Sequence, residues 1–169
     1  MQEAELMYKL FDLVSGDLEK NQCILKQFIA ITFIDMNYWI IPANPKRYRL
    51  ANVIRELPYV DWKQHNNFEI GDIVYIYNSR PDSQILYKME VIAVNLKTDE
   101  TTADRQYWAT HTEFEDSLIH NRFFRMIPLA ENEGEKLTLD DLLEHGLKGV
   151  PQGALKVREP LLSYMLSIL

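Results

Sequence analysis

The chain has 169 residues, 47% of them hydrophobic and 25% charged, which suits one ordinary domain with its own core and excludes disordered and fibrous classes. A single cysteine, Cys23, rules out an internal disulfide and a cysteine-rich zinc site, and an unpaired thiol fits the reducing cytoplasm. The longest apolar run, Cys23 to Ile34, is shorter than a bilayer span and contains Lys26 and Gln27, and the N-terminus lacks the basic start of a signal peptide, so a soluble protein is expected.

In chain order, residues 2–14 and 17–34 carry apolar positions at helical spacing, separated by Ser15-Gly16, and predict a helical hairpin. Met36 stands immediately before the first extended stretch. The expected organisation is therefore an N-terminal helical extension over 1–35 and a domain over 36–169, with two alternatives for the extension: an appended arm, or a true start at Met36.

Beyond Asn37 the period becomes extended. A strand is expected over 37–42, a turn at Asn44-Pro45, and a helix over 48–57 with Leu50, Val53, Ile54 and Leu57 on one face, stopped by Pro58. Strands over 72–77 and 85–94 flank a loop with Pro81-Asp82 and predict an antiparallel pair. A helical excursion follows over 101–119, a strand over 122–130, a helix over 137–144 with Thr138 as N-cap, and a closing helix over 160–169. Strands with short helical insertions predict an α+β domain with a small curved sheet or barrel, not a doubly wound parallel sheet. No GxGxxG follows a strand and no Walker-type loop exists, so nucleotide-cofactor chemistry has no visible seat.

The net charge of −7 argues against broad phosphate-backbone binding, but the charge is uneven. Residues 1–35 hold 6 acids and 3 bases, residues 36–108 hold 9 of each, and residues 109–169 hold 10 acids and 6 bases. The neutral middle segment includes Lys46, Arg47 and Arg49 after the first strand, and Lys63 and Arg80 further on. Such a distribution permits binding through one inserted base and disfavours tight, sequence-independent duplex binding.

Three blocks in that segment carry a resemblance. Tyr38-Trp39 opens a strand that ends in the turn Pro42-Ala43-Asn44-Pro45; Trp62-Lys63-Gln64 follows; and Gly71-Asp72 launches a strand ending Tyr77-Asn78-Ser79. Over about residues 36–98, and weakly through FFRMIPL and LTLDDLLEHGL, this resembles an EVE domain, one of the PUA-like modified-base readers. The chain departs from the family where its Val-Arg-Asn signature is absent and where Asn78 stands in place of the expected His. The resemblance implies a PUA-like α+β fold, a small curved β-sheet or barrel with surrounding helices, in addition to the N-terminal helical segment. It also implies a pocket for a flipped base between the first turn, the Trp62 loop and the Tyr77 strand end. In that pocket Trp62 stacks on or flanks the base, Asn78 and Ser79 read its edge beside Tyr77, Asn44 helps to close it, and Lys63 and Arg80 hold neighbouring phosphates.

Residue by residue, plainer roles compete with these. Trp39, in an apolar strand, reads as core; Trp62, between Asp61 and Lys63, is open to either a core or a stacking role. Asn78 at a strand end reads as a turn cap or as an amide for a base edge. His111, Glu115, Asp116 and His120 lie close in sequence, yet HTEFEDSLIH lacks the HExxH pattern and reads as a polar helix face rather than a zinc site. His65 and His145 have no evident carboxylate or nucleophile partner, Ser79 is outside any GxSxG, and no cluster of acids and Lys resembles a nuclease. The expectation is a non-catalytic, cytoplasmic module without cofactor or metal that reads a modified base, methylated cytosine or a derivative, in DNA. A restriction or defence role would then depend on a separate nuclease subunit. The alternatives are an RNA-modification reader of the same fold, an enzyme or small-molecule binder using the same cavity, and a non-binding partner subunit of a nuclease.

Overall fold

Tyr38-Trp39 and Gly71-Asp72, far apart in sequence, are tied by one buried carboxylate. Asp72 is 1% exposed and accepts hydrogen bonds from Trp39 Nε1 at 2.8 Å, from the backbone and side chain of Asn37, and from the Glu69 amide. Gly71 precedes it at φ +92°, a conformation that costs glycine nothing, and its amide bonds the Val91 carbonyl. These bonds fix the start of β1 (Tyr38–Ala43) beside β3 (Ile73–Asn78), which run parallel from Tyr38↔Ile73 to Ala43↔Asn78. The computed structural model describes residues 36–169; the helical hairpin expected over 1–35, and the choice between an arm and a start at Met36, lie outside the described residues.

The long strand β4 (Gln84–Leu96) pairs antiparallel with β3, and β5 (Phe123–Glu131) with β4. Two short edge strands complete the sheet, β2 (Val60–Lys63) on β5 and β6 (Leu155–Lys156) on β1, giving the order β2-β5-β4-β3-β1-β6. Register shifts between Ile76/Tyr77, Lys88/Met89, Val91/Ala93 and Ala93/Leu96 each bend and twist the ladder, so the six strands curl into a half-barrel. One main core lies inside the curl, built on Trp39, Ile41, Val74, Ile76, Met89, Phe124 and Met126, with Phe68 stacked on Phe124 at 4.2 Å between ring centroids. β3 is buried at all six positions, as expected for a strand whose two faces are both apolar.

Four α-helices surround the sheet among the described residues: α1 (Leu50–Glu56), α2 (His111–Leu118), α3 (Leu139–Glu144) and α4 (Leu161–Ile168). α3 carries the Thr138 cap expected from the sequence, here a reciprocal capping box with Asp141. α1 is shorter than expected. The Asn44 carbonyl takes the Arg47 and Tyr48 amides in a turn, and Tyr48 bridges to Trp108 instead of entering the helix. The helical excursion predicted over 101–119 is helical only in its second half, from the Thr110 cap onward. A 3₁₀ turn over 105–107 and extended backbone occupy the first half, because Asp61 and Tyr48 draw Thr102 and Asp104 into side-chain bonds that a helix would not allow. No helix among the described residues is long and apolar enough to cross a membrane.

Candidate nucleic-acid-base site

β2 is where sequence and structure differ most usefully. Read as a loop around Trp62, it is a strand, paired from Val60↔Met126 to Lys63↔Phe123. Its alternating side chains place Asp61 against Arg125, whose guanidinium makes two bonds to the carboxylate at 2.8 and 2.9 Å and lies 3.8 Å over the Tyr59 ring. Asp61 also accepts the backbone amide and hydroxyl of Thr102, both at 2.7 Å, and so pins the irregular 101–108 segment against the sheet. Trp62 is half-buried and meets Tyr48 edge-on, ring centroids 5.8 Å apart, while Trp108 packs on the same Tyr48 at 4.7 Å.

Between these rings lies a cavity of about 140 Å³ lined by Tyr48, Asp61, Trp62, Lys63, Thr101, Thr102, Asp104, Trp108, Ser117, Leu118 and Phe123. Its polar groups are unequally occupied. Asp61 spends its acceptors on Arg125 and Thr102, and the Ser117 hydroxyl bonds the Phe114 carbonyl. Asp104 takes the Tyr48 hydroxyl on one oxygen at 2.7 Å, and its other oxygen receives no hydrogen bond from the described residues. The Trp108 indole N–H lies close enough to favour the Asp104 carboxylate but falls short of hydrogen-bond geometry, so this buried donor has no partner among the described residues. Burial pushes the Asp104 carboxyl above its usual range, only partly opposed by the Tyr48 hydroxyl. Burial, then the Asp104 charge, pushes the Tyr48 hydroxyl far up, so it stays a donor at any working pH.

A second, more open depression of about 390 Å³ shares Trp62 and Lys63 with the first and adds His65, Asn66, Phe68, Gln152 and the Ile41-Pro42 end of β1. Lys63 donates to the Asp116 carbonyl at 2.9 Å, and partial burial followed by the nearby Arg47 lowers its pKa. The His65 and His120 rings pack at 4.1 Å, and burial, His120 and Lys63 together lower the His65 pKa.

The residues singled out in the sequence divide accordingly. Trp62 and Lys63 come together at the junction of the two cavities. Asn44, Tyr77, Asn78, Ser79 and Arg80 line neither of them. Tyr77 is 1% exposed, because β3 is a central strand covered on both faces, and its ring cannot flank a ligand in either cavity. Asn78 is also buried, its amide nitrogen bonded to Asp82 across the turn and its Oδ1 without a partner among the described residues, which is the turn-cap role. Asn44 caps the turn after β1 through Lys46, the Ser79 amide bonds Ala43, and Arg80 is exposed in the β3–β4 loop. His111 pairs with Glu115 at 3.5 Å on α2, apart from the His65 and His120 rings, which pack on each other at a tilt. Tyr48, Asp104 and Trp108 were missed because they sat inside expected helices; the run TTAD, polar and poor in helix formers, was the available signal of irregular chain.

No protein-family model and no curated protein matches this sequence. Solved structures do match in fold. The ASCH protein of Zymomonas mobilis aligns over 78% of this chain and 94% of its own, with a TM-score of 0.56 and 13% identity. A protein from Pseudomonas putida aligns over 78% and 98%, with a TM-score of 0.53 and 15% identity. Human THYN1, solved in complex with DNA containing 5-methylcytosine, aligns over 78% and 96% at a TM-score of 0.48 and 13% identity. At such identities the likeness is one of fold, and the fold is the PUA-like α+β half-barrel expected from the sequence.

Proposed function

We propose that the protein is an EVE-type reader that takes one cytosine-like base of a nucleic acid, methylated or otherwise modified, into the cavity between Tyr48, Trp62 and Trp108, and holds it without catalysis. The observation that carries this reading is the cavity's size combined with its edge chemistry. At about 140 Å³ it suits a single six-membered ring, since a protein cavity of about 150 Å³ takes up benzene. Its walls are aromatic, and its lining includes Asp104, one of whose oxygens has no hydrogen bond from the described residues, beside Trp108, whose buried indole N–H has no partner among them.

Cytosine presents the complementary edge. Its exocyclic amino group donates, and a carboxylate is a well-matched acceptor for it, while its ring nitrogen and carbonyl accept. Asp104 would take the amino hydrogen, Trp108 Nε1–H would donate to an acceptor on the same edge, and Trp62 and Phe123 would contact the ring and any methyl group on it. Lys63 at the mouth would hold a phosphate, which positions the strand without reading it. Uracil or thymine would set a carbonyl against the Asp104 carboxylate, leaving two acceptors face to face. Any cleavage coupled to recognition would come from another chain.

The test is calorimetric titration with cytidine, 5-methylcytidine and uridine, in ribose and deoxyribose forms, against the wild type and Asp104→Asn. The wild type is expected to prefer cytosine bases over uracil by about 1–3 kcal/mol. Asp104→Asn, whose amide both donates and accepts, is expected to lose that preference while folding normally. Equal binding of both bases by the wild type, or a preference untouched by Asp104→Asn, would end this reading.

A further inference from the structure

The base cavity does not stand alone. Trp108 forms a wall shared with another open depression, of about 510 Å³, lined by Ala103, Arg105, Gln106 and Trp108. Trp62 and Lys63 form the wall shared with the depression of about 390 Å³ that contains His65 and Phe68. Three hollows therefore follow one another, separated by two indoles that each pack on Tyr48. Only the middle one is small.

Charge follows the same order. The outer hollow beyond Trp108 carries the exposed Arg105, and the Arg49 guanidinium bonds the Gln106 carbonyl there. The outer hollow beyond Trp62 carries Lys63 and His65, with the His120 ring tilted against the latter. The middle hollow shares Lys63 at its boundary and holds the carboxylates Asp61 and Asp104, the first already neutralised by Arg125. Cation, carboxylate, cation is the pattern of a strand whose phosphates lie on either side of one inserted base.

Resting on the reading of the middle cavity as a base pocket, we infer that the three hollows form a track for single-stranded nucleic acid, one nucleotide per hollow. The central base is read, and its two neighbours stack on the outer faces of Trp108 and Trp62 whatever their identity. Stacking of this kind is tolerant of sequence because every base has a π-face. A duplex suits the surface less well. α2, which reaches the middle hollow at Ser117 and Leu118, also carries Glu113, Glu115 and Asp116, and Glu113 already holds Arg47, so a second phosphate backbone against this helix would meet acids. The net charge of −7 acts in the same direction.

The full chain can be tested by fluorescence anisotropy with a pyrimidine trinucleotide having 5-methylcytosine at its centre. Competitors would be 5-methylcytidine monophosphate, the same trinucleotide in ribose form, and a duplex containing the site. The trinucleotide is expected to bind at least about tenfold more tightly than the monophosphate, as two added stacking contacts require. The duplex should bind more weakly than the single strand. The log–log salt slope should be about −1.4 for two phosphates and fall by about 0.7 in Arg105→Ala. A preference between the ribose and deoxyribose strands identifies RNA or DNA as the source. A trinucleotide no tighter than the monophosphate, a duplex that binds as well, or a salt slope unmoved by Arg105→Ala would overturn the track. The base pocket would survive that outcome if the monophosphate still bound in an Asp104-dependent way.

Discussion

At the scale of single residues, the two tryptophans considered from sequence have different work. Trp39 is 8% exposed with its indole N–H locked onto Asp72, so it belongs to the core, as an apolar strand predicted. Trp62 was open to two roles; it is half-buried against Tyr48 and lines two cavities, and its stacking role belongs to the proposal. Trp62→Ala should therefore lower the melting temperature less than Trp39→Ala and cost about 1–3 kcal/mol of base affinity, with Trp62→Phe recovering most of it. Thermal melts and oligonucleotide titrations of the three variants check this; an unfolded Trp62→Ala would make the residue core alone. The polar pair of the cavity was harder to foresee. Asp104 acts with Tyr48, 56 residues away, and no local pattern links them.

At the scale of elements, most of the sheet was readable because β1, β3, β4 and β5 are long, apolar and β-branched. β2 and β6 were not, because four and two residues are too few to show a period. The connection after β2 and the connection after α2 meet through His65 and His120, and a pH dependence of stability is expected there. His65 is lowered from 6.5 by burial, by His120 and by Lys63, which itself faces Arg47 and the Asp116 segment. The unfolded chain therefore binds a proton at a higher pH than the folded one does. The sign is that stability is intact above 6.5 and declines as pH falls through the lower folded value. Melting temperature should drop between pH 6.5 and about 5, before ordinary carboxylates titrate, and His120→Asn should shrink that drop. A melting temperature flat across this window, or a drop unaffected by the substitution, would show that the ring contact does not govern it.

At the scale of the molecule, the motifs that suggested the fold turn out to build it. Trp39 and Asp72 bond each other, and Tyr77 and Asn78 lie in a buried central strand, so the resemblance spoke through scaffold residues. The proposed ligand site lies across the sheet at β2, where the resemblance breaks off. The three tryptophans give a direct view of it, because each indole N–H produces its own nuclear magnetic resonance signal. The decisive measurement is a titration of the ¹⁵N-labelled chain with the trinucleotide carrying a central 5-methylcytosine. The account predicts that the Trp108 indole proton moves downfield as its open donor gains an acceptor and that the Trp62 signal shifts under the stacked rings. The Trp39 signal, held by Asp72, should stay in place. Saturation with Trp62 and Trp108 unmoved, or with Trp39 shifting alongside them, would contradict it.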